Sequence, residues 1–179
     1  MHETFEIIPA DRRTFLCLLL ILAALAVAFL GAAGFLMRES KTIPLVFFFL
    51  GSSVGAGAVL VTLRSSRRTT FILDRERLKV RGDIFGRTVP TMLLETKKAR
   101  IIDLEKEPGY KPSWKICGSS VPGYQTGRFK LKNGEAAWIY LTDTRKVVYV
   151  PTKKGYALMM SVAKPEKMLE TLRKVGGSG

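Results

Sequence analysis

Histidine is almost missing from this chain. His2 is the one copy, beside the initiator at a chain end, where chains are poorly held. That removes a His-based catalytic triad and a zinc site built on His ligands. Cysteine is nearly as scarce. Cys17 lies in an apolar run and Cys117 in a distant polar segment, so no disulfide framework is implied. Acidic residues are also few: 15 Asp and Glu stand against 29 Lys and Arg, a formal net charge of +14 over 179 residues. Such a balance selects a polyanionic partner, either nucleic acid or anionic lipid. Nucleic acid is set aside because no helix-turn-helix or zinc motif is present.

Catalytic signatures are missing too. "SVAK" at 161–164 has the Ser-x-x-Lys spacing of penicillin-binding enzymes, but Pro165 pushes Lys164 away from the helical geometry that chemistry needs. "GSSVGAG" at 51–57 is Gly-rich without the Lys of a phosphate loop and reads as helix-packing surface. Asp103, Glu105 and Glu107 read as a solvated strand end. No catalytic residue, metal ligand or cofactor is expected.

Two long uncharged runs are present: Thr14 to Met37, and Leu45 to Leu63. About 20 apolar residues cross a hydrocarbon core, so two transmembrane helices, 14–37 and 45–63, are expected as a hairpin. Arg12, Arg13, Arg64, Arg67 and Arg68 flank the pair on one side, against Arg38 and Lys41 in the link. That five-to-two bias places both termini in the cytoplasm and the chain as a multi-pass protein of the inner cell membrane. Residues 1–13 become a cytoplasmic segment and 64–68 a basic tether. "GGSG" at 176–179 reads as a cloning remnant.

After the tether the pattern changes to short strands. "TTFIL" (69–73), "RLKVRG" (77–82), "FGRTVP" (85–90) and "ARIIDLE" (99–105) are strand-like. Residues 106–124, rich in Pro, Gly and Ser, read as a long loop with one short strand near Trp114. Asn133-Gly134 then marks a hairpin with a two-residue type I′ turn. "KVVYVPT" and "GYALMMS" form another, and Pro165 opens a helix with Met168, Leu169 and Leu172 on one face. Trp138, Ile139, Leu141, Val148, Val150, Leu158, Leu169 and Leu172 are the expected core.

The stretch "TGRFKLKNGEAAWIYLTDTRKVVYVPTKKGYALMMSVAKPEKMLETLRK" resembles the C-terminal part of bacterial pleckstrin-homology-like domains. Gly127, Asn133, Gly134, Thr142, Thr152, Gly155, Ser161 and Pro165 fall on positions of that pattern, and "TTFILDRERLKVRGDIFGRTVP" looks like the family's opening strand pair. Lys164 departs from it, standing where relatives have an acidic or small polar helix cap. The resemblance implies an α+β chain, in which a two-helix transmembrane hairpin precedes a PH-like domain at 69–175. That domain would be a β-roll of about seven strands capped by a C-terminal helix.

Two strands alternate cation with apolar residue. Arg77, Lys79 and Arg81 interleave with Leu78 and Val80; Arg128, Lys130 and Lys132 interleave with Phe129 and Leu131. A strand sends alternate side chains to opposite faces, so each row is a wholly cationic face. The six cations are the expected site for anionic membrane lipid, joined in one surface. Tyr110 and Trp114 in the 106–124 segment are a candidate interface. The alternative is a scaffold domain that binds a partner protein or a second copy of itself.

Overall fold

The computed structural model describes residues 2–10, 12–38, 51, 53–54, 56–57, 60–62 and 64–176. The chain divides into two compact units, 12–64 and the remainder.

In the first unit, helix α1 (Arg12–Arg38) runs for 27 residues and exposes Leu20, Val27 and Leu30. Among the described residues no helix is long and apolar enough to cross a membrane. The second expected span, 45–63, lies largely outside the described residues. The expected transmembrane hairpin is therefore corrected. So is the multi-pass inner-membrane placement with both termini cytoplasmic: without a span, the five-to-two charge bias has nothing to orient.

The second unit holds ten strands among the described residues, more than the seven or so expected. One sheet runs β1-β2-β3-β4, with β1 His2–Glu6, β2 Thr70–Asp74, β3 Arg77–Arg81 and β4 Thr88–Pro90. The other runs β5-β9-β10-β8-β7-β6. Its strands are β5 Arg100–Ile102, β6 Pro112–Val121, β7 Tyr124–Leu131, β8 Ala136–Leu141, β9 Val147–Pro151 and β10 Tyr156–Met160. Pairing is antiparallel except between β8 and β10. Helix α2, Pro165–Gly176, closes the unit, burying Met168 and Leu172.

Two differences from the sequence reading matter. The N-terminal segment, read as a separate piece, supplies β1: His2 to Glu6 pair with Asp74 to Thr70, and Phe5 and Ile7 are buried. Residues 12–64 are thus inserted in the sequence between two paired strands of one sheet. The 106–124 loop is instead mostly β6, a ten-residue strand. Its Ser and Gly residues hid it, because they carry little strand propensity.

The six-stranded sheet is buried on both faces. One face joins Tyr124, Tyr140, Val148, Val150, Leu158 and Met160 to Phe71, Leu73, Leu78 and Val80 of the four-stranded sheet and to Met168 and Leu172 of α2. The other gathers Ile102, Phe129, Leu131, Ile139, Val147 and Met159 into a second core. Ile102 and Phe129 come from strands far apart in the sheet order, so the sheet curls on itself to enclose them. Near-continuous apolar strands such as "VVYV" suit burial on both faces.

Candidate functional site

The alternation in both basic strands sorts charge from core as expected. In β3 Arg77, Lys79 and Arg81 are exposed and Leu78 and Val80 buried. In β7 Arg128 and Lys130 are exposed, with Phe129 and Leu131 buried between them. Lys132 is exposed but has left the strand. The Gly134 amide donates to the Leu131 carbonyl at 3.0 Å and the Leu131 amide to that of Glu135 at 2.8 Å, while Gly134 takes φ +89°. That is a three-residue connection with glycine in the left-handed region, not the two-residue turn expected, and Lys132 occupies its first position.

The rows belong to different sheets, so strand pairing does not join them. Their directions follow from register. Arg128 stands opposite Trp138 and Lys130 opposite Ala136, so both leave the six-stranded sheet on the face of Trp138 and Tyr140. Tyr140 shares its core with Leu78 and Val80, so this face looks toward the four-stranded sheet. Arg77, Lys79 and Arg81 leave the four-stranded sheet opposite Leu78 and Val80, away from that core. Register thus fixes the face of each row within its own sheet. Arg77 lies 3.7 Å from Asp74; among the described residues Lys79, Arg81, Arg128, Lys130 and Lys132 have no ion-pair partner.

A polar joint between β3 and β4 ties the two sheets together. Asp83 accepts hydrogen bonds from the Tyr124 hydroxyl, from Thr126 Oγ1 at 2.9 Å and from the Phe85 amide at 2.7 Å. The Tyr140 hydroxyl donates to the Phe85 carbonyl at 2.7 Å. Burial first, and the Asp83 carboxylate next, push the Tyr124 phenol well above the usual tyrosine range. Burial also raises Tyr140.

Arg87 completes the joint. Its guanidinium sits 3.9 Å from the centre of the Trp138 ring and 5.3 Å from that of Tyr156. Nε and Nη1 are buried without a hydrogen-bond partner, so the ring faces, electron-rich, take that place. Trp138 is accordingly half-buried, less enclosed than the sequence reading had it. The sequence assigns neither Asp83, a turn residue, nor Arg87 to a site. The available signal was parity: Arg87 alternates with Val89, which is buried, so it is an inward-pointing cation.

The two expected interface aromatics separate. Tyr110 is half-buried and packs edge-on against Tyr149, with ring centres 5.1 Å apart and planes at 70°. Arg100 lies 5.1 Å over the Tyr110 ring and is ion-paired to Glu107 at 2.8 Å. Tyr110 therefore closes the second core. Trp114 is 72% exposed on β6. Glu107 is used by Arg100, and Asp103 Oδ1 accepts the Glu105 amide at 2.9 Å. Among the described residues no group of three or more His, Cys, Asp or Glu could hold a metal ion. Ser161, of the Ser-x-x-Lys match, is fully buried; its hydroxyl donates to the Asp143 carbonyl at 2.8 Å and accepts the Thr142 and Asp143 amides at 3.2 Å. It clips the β8–β9 turn.

No curated protein and no solved structure matches the sequence. A family model for the bacterial PH domain matches residues 69–176, from the start of β2 to the end of α2. That is more than half of the chain, and the matched region contains the two sheets apart from β1, both basic rows and the closing helix. The chain belongs to the bacterial PH domain family.

Proposed function

We propose that this domain is a non-enzymatic binding module whose two basic rows rest on anionic lipid headgroups. PH domains are generally binding modules for lipids or proteins rather than catalysts. The observation that carries the reading is the exposure of both rows, Arg77, Lys79 and Arg81 with Arg128 and Lys130, each on the wet side of its strand. Each basic group near an anionic surface contributes about 1 kcal/mol. Exposed lysines are common on strand faces, but on this reading the two rows act on one surface and add their attraction. That attraction decays over roughly 8 Å at physiological salt, so the rows need contact rather than proximity.

The test is flotation of the full chain with vesicles of phosphatidylglycerol or of phosphatidylcholine, at low and high salt. Comparing the two lipids removes whatever the apolar α1 contributes to both. Preference for the anionic vesicles that disappears with salt supports the reading; equal flotation at low salt ends it. A second reading, a scaffold domain binding a partner protein, is favoured by the exposed edge strand β6 and its Trp114.

A further inference from the structure

β6 is the last strand of the six-stranded sheet, and among the described residues its one strand partner is β7. An edge strand carries a row of backbone donors and acceptors open to another chain, and proteins blunt such edges with Pro, Lys and bulges. The first half of β6 is blunted. Pro112 opens it, Lys115 is exposed, and the register slips between Pro112 and Trp114 and again between Lys115 and Cys117. The second half is not. Cys117, Gly118, Ser119, Ser120 and Val121 pair in unbroken register with Arg128, Gly127, Thr126, Gln125 and Tyr124 and carry no charge. Its geometry is held firmly. A Cβ on Gly118 would lie 2.2 Å from the Thr126 carbonyl oxygen, and Gly127 takes φ +116° with the Cys117 carbonyl oxygen at 2.3 Å from a Cβ there. The glycine pair lets the two backbones approach and holds the outer edge in place.

We infer that the edge of β6 takes an extended, acidic segment of a partner protein as an added strand. Backbone pairing along 117–121 supplies the frame. Trp114 and Ile116, 72% and 52% exposed, supply apolar anchors beside it, of the aromatic kind that dominates binding energy. Charge decides the partner's sign. From Pro112 to Lys132 the chain has four cations, Lys115, Arg128, Lys130 and Lys132, and no Asp or Glu. By register, Trp114 stands opposite Lys130 and Cys117 opposite Arg128, so the exposed aromatic and two cations share one face. A second copy of this chain, at +14, would set like charges against that face; an acidic strand would neutralise it.

The inference shares Arg128, Lys130 and Lys132 with the lipid reading in its choice of charge, but its frame is Trp114, Ile116 and the strand edge, and a peptide probe keeps the experiment distinct from vesicle binding. The probe is an end-blocked octapeptide of alternating Glu and Val, against its Lys–Val counterpart and a version N-methylated at alternate residues. Each is titrated into the full chain, and amide hydrogen exchange of 113–121 is followed. The expected result is binding of the acidic peptide alone, slower exchange along β6, and loss of both with the N-methylated version. Trp114→Ala should weaken peptide binding about tenfold. Equal binding of the Lys–Val peptide overturns the inference, as does no binding, or binding without slower exchange in β6. A chain already dimeric, with β6 protected before any peptide is added, overturns it in favour of a second copy.

Discussion

β3 and β7 read almost alike, each alternating cation with apolar residue, yet they serve different cores. Leu78 and Val80 of β3 face one core, shared with Tyr140 and Leu158. β7 straddles two: Tyr124 joins that same core, while Phe129 and Leu131 enter the second. Alternation thus separates wet from dry faces without saying which core receives the dry one. The largest expected effects test this division. Leu78→Ala should cost roughly 2–5 kcal/mol and Phe129→Ala roughly 3–5 kcal/mol in denaturant unfolding of the full chain. With separate cores the double variant should lose the sum, within about 0.5 kcal/mol. A large departure from additivity would break the two-core division.

The rows themselves come next. Changing Arg77, Lys79 and Arg81 together to Gln removes about 3 kcal/mol of surface attraction, roughly a hundredfold in vesicle partitioning. The β7 triplet should do less, because Lys132 sits in the turn rather than on the strand face. Two rows on one surface should each matter. If the β7 triplet to Gln leaves flotation unchanged while the β3 triplet abolishes it, the lipid surface is the four-stranded sheet alone.

Much of this arrangement was legible in the residues, and the failures have physical causes. Outside 106–124, the strand–turn pattern from Thr70 to Met160 and the Pro165 helix follow from local propensity, and the family match over 69–176 agrees with the stretch that carried the resemblance. Exposure of Arg77, Lys79, Arg81, Arg128 and Lys130 followed from period two, while Lys132 is exposed in the turn. β1 was missed because five residues, "HETFE", say little until Phe71 and the other β2 residues stand opposite them. β6 was missed because its strand character comes from pairing with β7 rather than from its own side chains. Arg87 was missed because a lone inward cation makes sense only with Trp138 beneath it. The long apolar run misled in the opposite direction: an uncharged stretch invites a span, and no described helix satisfies one.

Tyrosines distinguish the two cores by pH. Tyr124 lies at the joint beside the first core; Tyr149, at the second, is raised by burial and then by its hydrogen bond to Glu135. Each folded phenol ionises later than the unfolded one, near pH 10. Their contribution is therefore complete below that pH, and stability should fall as pH climbs past about 10 toward the raised values. Tyr124→Phe should flatten part of that fall. At neutral pH it should cost about 1.5–3 kcal/mol through the lost bond to the Asp83 carboxylate. A stability curve level across the alkaline range would show these phenols to be free of the cores.

Arg87 is expected to give the smallest effect, and it tests whether the two sheets are coupled at the joint. Among the described residues its charge has no ion pair, and its nearest ring is that of Trp138. A cation over an aromatic face contributes about 0.5–2 kcal/mol, more when water is excluded, and here two guanidinium nitrogens are buried. Arg87→Ala should therefore cost about 1 kcal/mol and uncover the indole. Arg87→Lys should recover only part, because the ammonium keeps the charge but loses the flat stacking surface. The measurement is Trp138 fluorescence in a Trp114→Phe background, with acrylamide quenching alongside unfolding. Quenching should rise in the order wild type, Lys, Ala. If Arg87→Ala leaves both quenching and stability unchanged, the guanidinium merely rests on the ring, and the two basic strands are held in relation by the Asp83 network alone.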